Sequence, residues 1–390
     1  MKQVVFISIV WAAAAAPGGW AQVTREGRSW VKTVNGVVTA SPFERFRLDT
    51  VGNVILQGGD GEKITYKLKL RVRAADAKQA EALMQEFDVR SRSQNGWLRL
   101  VITPPANITE GPELTVSVPR SLQQAWIETR GGNVQATDLD GELQARSAAG
   151  RMVVDRVKGK ADIRTGGGDI QVGEVGGTVR CFSGAGVIRV QSAGGESWLE
   201  TQGGEVFVHQ AAGPVHAATA GGNIRVERAS NTVFARTAAG LIEVQQADGA
   251  VTAESSAGAI QVNAANGVRC ESASGTIRLR NVWGPLRAST AVGSIMAELL
   301  SGNRIQDSML STNAGDITVF IASNIPLTVM ARNDSGGVSG RIISDFKEIR
   351  VKEGSWPGVS PVLAEGALNG GGPLLRINVN GGTIYLRRQK

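Results

Sequence analysis

Glycine returns every 18 residues through the middle of this chain, at Gly132, Gly150, Gly168, Gly186, Gly204, Gly222, Gly240 and Gly258. The series continues with Gly275 after a one-residue deletion, then Gly293, then Gly315 after a four-residue insertion. A fixed period of this kind marks stacked like units, none of which can bury its apolar face alone. Two residues after each glycine stands an aliphatic side chain, from Val134 and Met152 to Ile295 and Ile317. Two further on comes a second apolar residue, such as Val172, Val226 or Leu279. That alternation is a short strand with one buried face.

Half a unit later the pattern repeats with smaller side chains, for example Val179/Cys181, Val233/Ala235 and Leu286/Ala288. Gly141, Gly159, Gly177, Gly195, Gly213, Gly249, Gly267, Gly284 and Gly302 introduce these second strands, and Asn231 takes the place in one unit. Asparagine is the other residue that tolerates a left-handed backbone, so the substitution predicts a positive φ at this corner. Three residues before each series glycine stands Ser or Thr, including Thr129, Ser147, Thr165, Ser183, Thr219 and Thr237. The parity of this column predicts hydroxyls inside the second turn, bonded to free backbone groups. Outward turn hydroxyls are the alternative.

Two strands and two tight turns in 18 residues define an all-β fold, a single-stranded parallel β-helix or β-solenoid. Ten coils at about 4.8 Å each predict a rod of about 50 Å. A βαβ protein would need helices between strands, and the unit has no room for them. The 50 glycines in 390 residues are then mostly corner residues. With 42% hydrophobic and 20% charged residues, the chain is not a disordered one. Two cysteines exclude a disulfide scaffold. Cys181 and Cys270 share one position five coils apart, about 24 Å and beyond disulfide reach, so both are expected as small buried residues, with an intermolecular bridge as the alternative.

Residues 1–21 read as a secretory signal peptide. Lys2 precedes a short apolar stretch over residues 4–16, and Gly19 and Ala21 are the small residues expected before cleavage at Gln22. An uncleaved anchor is the alternative; no later run is long enough for a transmembrane helix. Residues 22–124 read as a β-rich N-terminal capping region with one helix over residues 75–87, whose Ala80, Leu83, Met84 and Phe87 share a face. Residues 125–321 are the regular solenoid. Residues 322–390 supply C-terminal strands, a Gly- and Pro-rich loop over residues 353–372, and a cap.

The run over residues 46–56, the helix-bearing insert, the Val118-Pro119 strand end, the G-x-I-x-V repeats and the closing Asn-Gly-Gly-Thr-Ile-Tyr-Leu over residues 380–386 resemble a known family. It is the secreted bacterial β-strand-repeat proteins named "putative adhesins", related to head-domain autotransporter adhesins. The resemblance covers nearly all of the chain beyond residue 21. It implies a β-helix in the bacterial envelope and carries no catalytic motif.

The residues themselves offer little chemistry. Turns of a few small residues leave no loop wall to bury a substrate or shift a pKa. His209 and His216 fall on opposite sheets, which argues against a shared metal or catalytic pair. Asp169 follows three glycines as in a calcium-binding roll, but its column otherwise reads Asn133, Arg151, Val187, Glu205 and Asn223. No phosphate-binding loop occurs. No catalytic, metal or cofactor residue is therefore assigned. The net charge of +7 is interspersed with acids, which points to mild attraction to anionic envelope polymers and to no nucleic acid partner.

Outward aromatics do stand out. Trp198, His216 and Phe234 occupy one outward position in three successive coils, with Phe182 nearby in the coil before. On the opposite sheet Arg189, Phe207 and Arg225 share a column, an expected cation–π stack. Such columns are either ladders that stabilise the sheet or a surface for a ligand. The function expected is a non-enzymatic, exported, adhesin-like binding or scaffold module of the cell envelope, in the periplasm, at the surface or outside. Its partner would be an envelope polysaccharide or a surface protein. The alternatives are a polysaccharide-acting β-helix enzyme, built around the insertion after Gly293 or residues 353–372, and an envelope-stress sensing or assembly protein.

Overall fold

The structure, a computed structural model, describes residues 23–38, 43–105, 111–302, 304–335, 341–352 and 361–389. The expected signal peptide lies outside the described residues. The chain divides into two compact units, Met1–Gly194 and Gly195–Lys390. Each is a parallel β-solenoid with strands on two faces.

In the first unit, Val134–Leu139, Met152–Val157, Ile170–Val175 and Ile188–Ala193 pair in parallel, so that Val134, Met152, Ile170 and Ile188 stand over one another. Gln124–Thr129, Glu142–Ser147, Ala161–Thr165 and Val179–Ser183 form the other face. The inward side chains of both faces are buried, Ile163, Ile188 and Val190 completely. In-register stacking buries the apolar position of every coil against its copies, which is why a strict period suffices to specify the fold.

The N-terminal region contains one more coil. Arg45–Thr50 and Asn53–Gly59 pair in parallel with Gln124–Thr129 and Val134–Leu139 on one side. On the other side they pair in parallel with Trp97–Thr103 and Glu113–Pro119. An early coil thus lies between two later ones. Ile64–Val72 and Ser29–Val38 continue one sheet antiparallel, and Asp88–Gln94 the other. The helix spans Ala77–Gln85, with Asp76 as its N-cap accepting the Gln79 amide at 2.8 Å. Ala80 and Met84 are buried and Leu83 half-buried, while Phe87 is buried just beyond the helix.

The second unit stacks Val206, Ile224, Ile242, Ile260, Ile277, Ile295 and Ile317 in register. Its C-terminal coil, Leu374–Val379 and Thr383–Arg388, pairs directly with Ser308–Ala314 and Ile317–Ile321. Leu327–Asn333 and Arg341–Ser344 then pair on its far side. Val362–Leu368, expected as loop, is a strand antiparallel to Leu327–Asn333. Its Val362, Ala364 and Leu368 alternate inward and are buried, a short pattern masked by the surrounding Gly and Pro.

The corners correct one expectation. Asn231 does not take a positive φ, and neither do Gly141, Gly159, Gly177, Gly213 and Gly249 in its column; Gly267, Gly284 and Gly302 do. Crowding excludes a side chain at those five: a Cβ would sit between 2.0 and 2.8 Å from the backbone of the preceding coil. The series glycines are tighter still. At Gly150, Gly168, Gly222 and Gly240 a Cβ would fall 1.9–2.1 Å from the carbonyl oxygen of the glycine one coil earlier.

The Ser/Thr column faces inward. Ser147 Oγ donates to the Gly132 carbonyl at 2.8 Å and accepts the Gly150 amide at 2.9 Å. Thr165, Thr219 and Thr237 repeat both bonds in their own coils. One hydroxyl thus satisfies a carbonyl of the coil before and an amide of its own turn, neither of which a strand ladder reaches.

Candidate functional site

With both faces of each coil packed inward, chemistry is left to outward side chains. Strand stacking repeats an outward position at intervals of about 4.8 Å, close to the contact distance of flat rings. On Ser197–Thr201, Val215–Thr219 and Val233–Thr237 of the second unit, Trp198, His216 and Phe234 are direct register partners. The Trp198 and His216 rings lie 3.9 Å apart at 5° from parallel, and His216 and Phe234 lie 4.8 Å apart at 5°. Trp198 is 46% exposed and Phe234 43%. Glu196 Oε1 lies 3.2 Å from His216 Nε2 and holds the middle ring at its edge. The result is a flat aromatic column standing in water.

Of the other sequence-selected residues, two belong to the first unit and two to the opposite sheet of the second. Phe182, 37% exposed, lies beside Arg164 in the first unit. Arg189, also in that unit, stands beside Gln171. Phe207 and Arg225 are register partners on the opposite sheet of the second unit. The expected cation–π stack is not formed there, because Arg225 pairs with Glu227 at 3.7 Å and Glu243 at 3.5 Å. Two carboxylates within reach outbid one ring face for the guanidinium. Glu227 also meets His209 Nδ1 at 2.6 Å, on the sheet opposite His216.

Several groups weighed for other chemistry are occupied by the backbone. Asp169 Oδ1 accepts the Val187 amide at 2.9 Å, as Asn133 and Asn223 do for Arg151 and Leu241. Asp307, in the insertion after Gly293, accepts the Leu374 amide at 2.8 Å. Cys181 and Cys270 are buried free thiols, and burial pushes both well above the ordinary thiol range. Among the described residues no three or more His, Cys, Asp and Glu side chains gather in a way that could hold a metal ion. No helix among them is long and apolar enough to cross a membrane.

Two features escaped sequence reasoning. In the first unit Trp126 lies between Arg47 at 4.1 Å and Arg146 at 5.5 Å. Its place, four periods before Trp198, was a usable signal. In the second unit a groove of about 450 Å³ opens along one corner of several coils, lined mainly by Ser, Thr and Ala with Arg236, Glu254, Glu271 and Asn313.

Three solved structures are similar to this chain. One is a "putative adhesin" from Bacteroides fragilis, 15% identical, covering 63% of this chain and 96% of its own, with a TM-score of 0.33. A "putative adhesin" from Parabacteroides distasonis is 15% identical with the same coverage and a TM-score of 0.37. A "putative cell adhesion protein" from Clostridium sporogenes is 9% identical, covers 92% of this chain and 100% of its own, and has a TM-score of 0.19. Their names match the family that the repeats resemble. At these scores the likenesses bear on neither the fold nor the function of this chain, which rest on its own geometry. No protein-family model and no curated protein matches the chain.

Proposed function

We propose that this protein is an exported, non-enzymatic, adhesin-like binding module of the bacterial cell envelope, and that the Trp198–His216–Phe234 column is its contact surface. The single observation that carries this reading is three stacked rings with both outer members more than two-fifths exposed. Apolar rings left contiguous in water carry a free-energy cost that a contact removes. Flat rings on a flat sheet suit ligands that dock by stacking, and the rigid coils beneath keep them in place without an ordering cost. Export rests on residues 1–21, with Lys2 and the apolar stretch after it.

The test is retention on isolated cell-envelope material. A Trp198→Ala/Phe234→Ala variant should be lost from that material while its circular dichroism stays that of the parent and it still melts in one cooperative transition, at a slightly lower temperature. Undiminished retention by the folded variant overturns the reading.

A further inference from the structure

The aromatic column is continuous in the fold with the groove. Phe234 and Arg236 lie two residues apart on Val233–Thr237, both outward, and Arg236 is the first residue of the groove. From there the lining follows strand register without a break: Arg236, Glu254, Glu271, Ser289, Ser311. Asn313 completes the far end. The rings occupy three coils, and the groove begins in the last of these and runs on. From Trp198 to Ser311 the track crosses six strand spacings, about 29 Å.

Its chemistry changes along that length. The first part offers ring faces. The second offers hydroxyls, carboxylates and an amide on rungs one strand spacing apart. Charges along it are internally cancelled: Arg236 faces Glu254 at 3.7 Å, and Glu271 is held by Arg269 at 2.6 Å. The Ser289 and Ser311 hydroxyls have no protein partner among the described residues. A paired lining gives no net field to concentrate an anionic polymer. A protein partner would ask for an apolar centre ringed by polar groups, whereas here the apolar rungs stand at one end of a hydroxyl-rich strip. A sugar ring has an apolar face for stacking and an equatorial rim of donors and acceptors for such rungs.

We infer that the column and groove form one track for a neutral, linear polysaccharide, lying along the stacking direction with one end stacked on Trp198–Phe234 and the rest bonded through Ser289 and Ser311. This rests on the column being a contact surface, and it adds the ligand's class, direction and minimum length. Affinity should therefore grow with chain length until the track is filled.

Calorimetry on the full chain tests it. The probes are linear neutral hexasaccharides of glucose, mannose, galactose and N-acetylglucosamine, the matching disaccharides, and hexagalacturonate. At least one neutral hexasaccharide should bind roughly tenfold or more tightly than its disaccharide. A folded Ser289→Leu/Ser311→Leu variant should lose that length advantage while keeping disaccharide binding, and Trp198→Ala/Phe234→Ala should lose both. Binding of hexagalacturonate alone, of no hexasaccharide, or an unchanged length advantage in the serine variant overturns the track. If the aromatic variant still loses envelope retention in those cases, the binding-module reading stands without it. If retention is undiminished, that reading fails first.

Discussion

The imidazole of His216 lies 3.9 Å from the Trp198 indole and 5° from parallel. Strand register places them as direct partners, so the stack is a product of the period. Removing the middle ring should therefore cost stability as well as contact. His216→Ala is expected to lose about 1 kcal/mol in guanidinium unfolding, and His216→Phe to restore it. A Trp198→Ala change in the His216→Ala background should cost less than in the parent, and equal costs in both backgrounds would show that the rings do not couple.

The inward hydroxyls give a sharper expectation. Thr237 Oγ1 donates to the Gly222 carbonyl at 3.0 Å and accepts the Gly240 amide at 3.1 Å. Thr237→Val keeps the shape and strands both backbone groups, so a loss of about 2–4 kcal/mol is expected. Thr237→Ser keeps both bonds and should cost less than about 1 kcal/mol. Denaturant midpoints of the two variants compare them directly.

Adjacent glycines should behave oppositely. At Gly168 a Cβ would lie 2.1 Å from the Gly150 carbonyl oxygen, while at Gly167 nothing lies within 4 Å. Gly168→Ala is expected to cost about 3 kcal/mol or more, since backbone from two coils must move. Gly167→Ala should melt with the parent. Similar melting of both variants would mean that the coils are less closely stacked than the structure has them.

The thiols set a limit at high pH. Burial raises both Cys181 and Cys270, so the folded protein keeps them protonated where the unfolded chain, near 8.5, does not. Their contribution is whole below about pH 8.5 and is lost as pH climbs from there toward the folded values. Unfolding free energy should thus fall between pH 8 and pH 10, less so in a Cys181→Ala/Cys270→Ala variant. Native protein at pH 8 should resist iodoacetamide and react fully in denaturant.

The interior was legible from sequence because one period encodes both strand faces and their register. Ile224 and Ile242 predict their own stacking. The corners were less so, because a glycine required by crowding and a glycine required by positive φ look alike in sequence; Gly159 is the first kind and Gly284 the second. The terminal coils were hidden for another reason. Thr383 stacks on a coil whose matching residue, Asp316, lies 67 positions earlier, so no local period shows it. Trp198, His216 and Phe234 were found by column counting, and Trp126 was missed because counting began at Gly132. The Arg225 reading failed because register specifies neighbours but not which neighbour a long flexible side chain chooses.

The placement of Leu374–Val379 and Thr383–Arg388 separates the order of synthesis from the order of stacking. A repeat stack is expected to grow by adding each new coil to the last. Here residues 327–333 leave the ribosome before residues 374–379, yet join the regular stack only through them. Growth must therefore halt at Ile317–Ile321, with its ladder groups unpaired, until more than sixty further residues have been made. The last layers then close together as one cooperative event, timed by the synthesis of residues 374–388.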